Sequence, residues 1–214
     1  MTIAVKICGL SEPKTVAAAV DAGAAFVGFM FFRRSPRFVA TDTAAALVAD
    51  VPRGVTSVGV FVDAKDKELE RILKKVPLGA LQLHGKETPE RVAEIRKTFG
   101  IPVIKVLGIS TQRDLVGAGA YDRVADWMMF DAKAPPGATR PGGNAIAFDW
   151  TVLKTYVGRA PWLLAGGLTR VNVGAAVKAS GAQAVDVSSG VESRPGVKSA
   201  AKIRAFIAAV RAVD

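Results

Sequence analysis

Eight short apolar runs, spread along the whole chain, constrain this sequence more than any other feature. They are rich in Val, Ile, Leu and Phe, and most are bounded by Gly, Pro or Asp, as expected for parallel strands buried on both faces. The runs cover residues 4–8, 26–31, 55–62, 78–83, 103–107, 127–130, 162–165 and 184–187. The pattern therefore predicts eight strands.

Segments with helical periodicity follow each of these runs. The predicted helices cover residues 11–21 with a cap at Ser11, 42–51, 66–75, 88–99, 112–116, 149–156, 172–179 and 197–213. Eight strand–helix units in 214 residues give about 27 residues per unit, and strict alternation implies a parallel sheet with right-handed crossovers. Eightfold repetition predicts a single (β/α)8 TIM barrel spanning residues 1–214, with an open doubly wound sheet as the alternative.

Composition and charge exclude several classes of protein. Half of the residues are hydrophobic and 22% are charged, so the chain can bury a core and is not a disordered protein. The longest stretch without a charged residue, 22–32, has eleven residues against the roughly 20 that a spanning helix needs. The net charge of +10 comes from basic patches mostly interleaved with acids, which favours a solvated surface over a nucleic-acid partner. With one cysteine and no basic leader before an apolar run, we expect a cytoplasmic protein without membrane association.

Polar residues fall at or just beyond the carboxyl ends of four predicted strands, where barrel enzymes place their active sites. They are Cys8, His84, Asp131 and Ser188. Buried polar groups cost a few kcal/mol unless they are paired, so Lys6 and Lys105 are expected to neutralise Asp186 or Asp131.

Two glycine-rich turns and one long loop complete the predicted mouth of the barrel. The turns at residues 164–168 and 186–192 follow strands seven and eight, the usual phosphate site of such barrels. The loop at residues 132–147 follows strand six and is a candidate lid. Its helix-breaking residues are Pro135, Pro136, Gly137, Pro141, Gly142 and Gly143.

Motifs along nearly the whole chain resemble the phosphoribosylanthranilate isomerase family of tryptophan biosynthesis. The resemblance extends from residue 6 to about residue 198. The matching motifs are KICGL at 6–10, SPR at 35–37, GVFV at 59–62, LQLHG at 81–85, Asp131, GG at 142–143, FDW at 148–150, LAGGL at 164–168 and DVSSGVE at 186–192.

The resemblance implies an Amadori rearrangement of a phosphorylated N-ribosyl anthranilate by general acid–base catalysis, without a cofactor or a metal. It implies Cys8 as the base and Asp131 as the acid, with Lys6 and the helix expected at Ser11 favouring the Cys8 thiolate. It implies Arg37 at the substrate carboxylate, and His84 and Asp186 as residues that orient the substrate. The phosphate is expected at Gly166, Gly167, Ser188, Ser189 and Gly190.

Three rival functions remain open from the sequence, and so does a monomer or a homodimer. A pentose-phosphate epimerase would use several metal-binding histidines, but His84 is the only histidine in the chain. An isomerase of histidine biosynthesis would be expected to carry aspartate at position 8. A non-catalytic phosphate- or nucleic-acid-binding protein would explain the glycine turns but not the pairing of Cys8 with Asp131.

Overall fold

Eight parallel strands close into a barrel in which each strand pairs with the next and the last pairs with the first. The computed structural model describes residues 2–135, 137–138, 142 and 147–213. The strands are β1 (Ala4–Cys8), β2 (Phe26–Met30), β3 (Thr56–Phe61), β4 (Ala80–Leu83), β5 (Val103–Ile109), β6 (Trp127–Ala132), β7 (Trp162–Leu164) and β8 (Ala184–Val187). The predicted (β/α)8 barrel is confirmed, and the open sheet is excluded.

Helices surround the barrel and connect its strands. They are α1 (Pro13–Asp21), α2 (Thr41–Ala49), α3 (Asp66–Leu73), α4 (Pro89–Phe99), α5 (Ala118–Tyr121), α6 (Val173–Ser180) and α7 (Ala200–Arg211). Gln112–Leu115 and Trp150–Thr155 form 3₁₀ helices where α-helices were predicted. The predicted cap at Ser11 is wrong: Glu12 is the N-cap, and Pro13 sets the first helical residue.

A short hairpin replaces the start of the last predicted helix. Strands β9 (Glu192–Arg194) and β10 (Val197–Lys198) pair antiparallel. The helix then begins at Ala200, because the Ser199 side chain accepts a hydrogen bond from the backbone N–H of Lys202. The prediction of a helix from residue 197 is therefore wrong. The hairpin places the Lys198 side chain within hydrogen-bond distance of Ser188 and Glu192.

Apolar side chains fill the lower part of the barrel. Their spacing of two along the strands places them on one face, as the alternation of side chains along a strand requires. This inner cluster consists of Val58, Ala80, Ile104, Val106, Met129, Leu163, Ala165 and Ala184. A larger cluster fills the space between the strands and the helices. The polar side chains inside the barrel are therefore confined to the end where the strands finish.

A buried ion pair anchors the loop between β4 and α4. Lys105 on β5 lies 2.6 Å from Glu87, and both side chains are almost fully buried. Lys105 also donates to the carbonyl of Gly85, while Glu87 accepts from the backbone N–H groups of Asp63 and Gly85. The predicted partners of Lys105, Asp186 or Asp131, are wrong because the nearer carboxylate comes from this loop.

Replacing one member of this pair is expected to destabilise the fold strongly. Lys105→Met leaves the Glu87 carboxylate buried and without its cation, which costs about 3–5 kcal/mol in the free energy of unfolding. Lys75→Met is the matched control, because it removes the Lys75–Asp42 pair, whose side chains are 57% and 82% exposed, and it is expected to cost under about 1 kcal/mol. Urea unfolding measures both, and equal losses would contradict the anchoring role of Lys105.

Candidate active site

A pocket opens at the carboxyl ends of the barrel strands. Nine of the ten site residues predicted from the sequence contribute to its wall. They are Cys8, Arg37, His84, Asp131, Gly166, Gly167, Asp186, Ser188 and Ser189. The tenth, Gly190, is not part of the wall. The topology therefore brings residues from distant parts of the sequence into one site, as the strand-end argument predicted.

Cys8 ends β1 beside a buried cation. Lys6 precedes it by two residues and lies 2.8 Å from Asp186, so the predicted neutralisation of Asp186 by Lys6 is confirmed. On β2, a Cβ added at Gly28 would lie 3.1 Å from both the Cys8 sulfur and the Lys6 nitrogen. The glycine therefore keeps the space beside the thiol open.

Burial sets the titration of Cys8 in the free protein. Removal of water raises the pKa of the Cys8 thiol, and the charges of Lys6 and Lys198 offset only part of this effect. Burial alone would lower the pKa of Lys6, but Asp186 and Cys8 outweigh it, so this pKa lies above its ordinary value. Lys6 is therefore a charged neighbour of Cys8, while burial opposes the thiolate expected near neutral pH.

Asp131 lies at the end of β6 beside His84. One carboxylate oxygen, Oδ1, accepts a hydrogen bond from the backbone N–H of Ala132, and the other, Oδ2, lies 3.3 Å from His84 Nε2. A Cβ added at Gly142 would lie 2.5 Å from Asp131 Oδ2 and from His84 Cε1. Only glycine at this position allows the loop backbone to lie so close to the pair.

Arg37 is fixed by two residues that sequence reasoning did not single out. Its Nε and Nη2 donate to the two oxygens of Glu192 at 2.6 and 3.0 Å, and Lys198 Nζ donates to Glu192 at 2.7 Å. Burial would raise the pKa of Glu192, but the hydrogen bond from Arg37 and the charge of Lys198 outweigh it and hold this pKa below its ordinary value. Glu192 is the last residue of the DVSSGVE motif, although no role was predicted for it. Lys198 fell within the helix wrongly predicted from residue 197.

The two glycine-rich turns lie against each other at the pocket. Gly166 and Gly167 have φ values of +90° and +64°, a conformation that favours glycine. Within the described part of the chain, their backbone N–H groups have no hydrogen-bond acceptor. A Cβ added at Gly190 would lie 2.0 Å from the Leu168 carbonyl oxygen, so Gly190 permits close packing of the turns.

Ser188 links the second turn to the end of β1. Its hydroxyl donates to the carbonyl oxygen of Cys8 at 3.1 Å. Lys198 Nζ donates to the same hydroxyl at 3.1 Å and to the Ser188 carbonyl oxygen at 3.0 Å. The hydroxyl of Ser188 is therefore engaged within the protein.

The predicted lid loop is only partly described. Its two ends and Gly142 belong to the described residues, and the latter lies in the pocket wall. Pro136, Pro141 and Gly143 lie outside the described residues. Closure of this loop stays a prediction.

A family model described as N-(5′-phosphoribosyl)anthranilate (PRA) isomerase matches residues 5–209 of the chain. The chain belongs to this family. It is accordingly an isomerase of tryptophan biosynthesis that converts phosphoribosylanthranilate to its carboxyphenylamino-deoxyribulose phosphate product. The family expected from the sequence motifs is thereby confirmed.

Similar sequences and similar structures agree with this assignment. The isomerase of Paramagnetospirillum magneticum is 54% identical over 211 residues, which are 99% of this chain and 98% of that protein. The isomerase of Paracoccus denitrificans is 53% identical over 97% of each chain. The crystal structure of the Thermotoga maritima isomerase superposes with a TM-score of 0.89 at 35% identity, covering 99% of this chain and 100% of that one.

Two further observations concern membrane-spanning helices and metal sites. Among the described residues, no helix is long and apolar enough to cross a bilayer. The same residues contain no group of three His, Cys, Asp or Glu side chains arranged to hold a metal ion.

The titration of Cys8 is a direct test of its surroundings. Because burial raises the pKa of Cys8, we expect its thiolate absorbance in the ligand-free protein to rise with a midpoint above about pH 8.5, the ordinary value for a thiol. Ultraviolet absorbance follows this change, and Cys8→Ser supplies the blank for tyrosine ionisation, since the chain has no other cysteine. A midpoint below neutral pH would show that the cations prevail over burial.

Proposed function

We propose that Cys8 and Asp131 perform the isomerisation as general base and general acid. One observation carries this proposal: the two side chains, from β1 and β6, line a single pocket together with both glycine-rich turns. The other carboxyl group in that wall belongs to Asp186, which is paired with Lys6 at 2.8 Å. A sugar bound there has an acid, a base and an anion site within reach.

The reaction proceeds in three balanced steps. Asp131 donates a proton to the ring oxygen of the ribose, and the bond from C1 to that oxygen breaks as the anthranilate nitrogen forms a Schiff base. The Cys8 thiolate then removes the proton from C2, which gives an enolamine. Tautomerisation of the enolamine yields the ketone of the product. No atom or electron is gained overall, so the steps require no cofactor.

The surroundings of the two groups suit these roles. Lys6 stays charged beside Cys8 and stabilises the thiolate when it forms. Ala132 donates to one oxygen of Asp131, which leaves the other oxygen available to exchange a proton with the substrate. General acid–base catalysis needs this combination of fixed position and a free proton site.

The phosphate end of the substrate is assigned to backbone donors of the pocket. We assign the phosphate to the backbone N–H groups of Gly166, Gly167 and Ser189, because such donors bind anions without a cation. The phosphate contacts expected of Ser188 and Gly190 stay predictions. A related isomerase has been solved with a reduced form of the product, 1-(o-carboxyphenylamino)-1-deoxyribulose 5-phosphate, at 33% identity and a TM-score of 0.86 over 99% of this chain.

Arg37 is assigned to the anthranilate carboxylate. Its Nε–Nη2 edge already binds Glu192, so the substrate carboxylate uses the Nη1 side of the guanidinium, which belongs to a pocket-lining residue. Glu192 holds the planar group in one orientation, and a fixed guanidinium binds a carboxylate with little loss of entropy. His84 and Asp186 are assigned to orienting the substrate or the catalytic groups.

The remaining expectations concern the protein as a whole. We propose that residues 1–214 act as one barrel domain in the cytoplasm, with a small phosphorylated substrate and without a nucleic-acid or membrane partner. A relative from Thermotoga maritima is described as a dimeric isomerase. For this chain, a monomer and a homodimer are both compatible with the proposal.

Substitution of either catalytic group tests the mechanism. Cys8→Ala and Asp131→Asn are each expected to lower kcat at least about 10²-fold, the scale of a lost general acid or base. The decay of fluorescence after addition of freshly made phosphoribosylanthranilate measures turnover, and circular dichroism verifies that each variant is folded. Turnover near that of the parent in either folded variant would remove that residue from its role.

Substitution of Arg37 tests substrate binding. Arg37→Ala is expected to raise KM about tenfold or more, because a charge-assisted hydrogen bond to a carboxylate contributes about 1.5–3 kcal/mol. Arg37→Lys retains the charge but loses the planar guanidinium. Its KM is therefore expected to lie between the KM of the parent and the KM of Arg37→Ala. Steady-state kinetics separates KM from kcat, and an unchanged KM in both variants would place the substrate carboxylate elsewhere.

A further inference from the structure

A buried glutamine lies behind the histidine of the active site. Gln82 on β4 is only 1% exposed, and its Nε2 lies 3.2 Å from His84 Nδ1. Within the described residues, this is the only hydrogen-bond contact of its side chain, and its Oε1 is buried without a partner. Gln82 also belongs to the wall of the pocket, beside His84.

The orientation of the amide bears on which histidine nitrogen carries the proton. Nε2 of Gln82 faces Nδ1 of His84, and because an amide nitrogen can only donate, this orientation fits an Nδ1 that presents its lone pair. In the neutral imidazole the proton then resides on Nε2. This nitrogen lies 3.3 Å from Asp131 Oδ2, so its N–H is next to the proposed acid.

We propose that Gln82 is a positioning residue that holds His84 in the neutral Nε2–H form and thereby keeps the proton of Asp131 available to the substrate. The proposal rests on the assignment of Asp131 as the general acid. With a proton already on Nε2, His84 has no lone pair there to accept the Asp131 proton. That proton then stays on Asp131 for transfer to the ring oxygen of the sugar.

The same arrangement stabilises the product of the proton transfer. Before transfer, Asp131 Oδ2 carries the proton, and Oδ1 accepts from the backbone N–H of Ala132. After transfer, the carboxylate has the Ala132 N–H on one oxygen and the His84 Nε2–H beside the other. Gly142 lies against both side chains and keeps them together. The opposite tautomer would instead place a lone pair beside Oδ2 and draw the proton away from the substrate.

Nitrogen NMR reads the tautomer directly. His84 is the only histidine, so its ¹⁵N signals need no assignment, and at about pH 8 an ordinary histidine is neutral. We expect the ligand-free protein to show a protonated Nε2 and an unprotonated Nδ1. A protonated Nδ1, or protons on both nitrogens, would overturn the proposal, and this measurement does not depend on activity.

Two substitutions of Gln82 connect the tautomer with catalysis. In Gln82→Glu a carboxylate faces Nδ1 and attracts a proton to it, and in Gln82→Met the donor is lost at similar volume. We expect NMR to show protonated Nδ1 in the first variant and a mixture of tautomers in the second, with kcat lowered about tenfold or more in both and KM within about twofold. Gln183→Glu is the matched control, because Gln183 is exposed and precedes β8 at the other end of the barrel.

The outcomes separate this proposal from the proposed function. If either folded variant of Gln82 shifts the tautomer but keeps its kcat, the role of Gln82 is overturned while that of Asp131 stands. If Asp131→Asn keeps its kcat, the acid role itself fails, and with it the consequence drawn for Gln82. Lowered kcat at constant KM in both Gln82 variants, together with the shifted tautomer and a silent Gln183→Glu, supports the proposal.

Discussion

Buried charges that must be neutralised determine the structure of the barrel mouth. Three groups of charged side chains are removed from water there: Lys6 with Asp186, Lys105 with Glu87, and Arg37 with Glu192 and Lys198. Each unpaired member would cost several kcal/mol, so each group accepts only one arrangement of the strands and loops that carry it. The position of Cys8, of the His84 loop and of Arg37 follows from this requirement.

The same burial affects the titration of the Cys8 thiol. A cation next to a cysteine predicts an easily formed thiolate when the groups are considered alone. In the structure the pair lies in a dry interior, where the loss of water acts on the thiol more strongly than the charge of Lys6. Lys6 also forms an ion pair with Asp186, so its charge acts on both Asp186 and Cys8. Formation of the thiolate that removes the proton from the sugar therefore has to overcome this burial.

Most of the fold could be predicted from the sequence, because each buried parallel strand corresponds to a short apolar run that is recognisable on its own. Gln82 and His84 are two residues apart, so the alternation of side chains along a strand also requires them to lie on one face. The partner of Lys105 could not be predicted, since Glu87 lies in a loop with no periodicity. Neither could the contact between Arg37 and Glu192, which are 155 residues apart in the chain. Tertiary pairing of this kind has no local signal. The hairpin of β9 and β10 is different, because Pro195 and Gly196 mark its turn in the sequence and were overlooked.

The pairing of β1 with β8 has a consequence for the order of events during synthesis. Cys8 leaves the ribosome early. Strand β8, which pairs with β1, and Lys198 emerge only after most of the chain has been made. Until then Arg37 has no carboxylate, and Asp186 has not reached Lys6. The nascent protein thus carries the Cys8 thiol on an edge strand, and the pocket is complete only when the final quarter of the chain has folded.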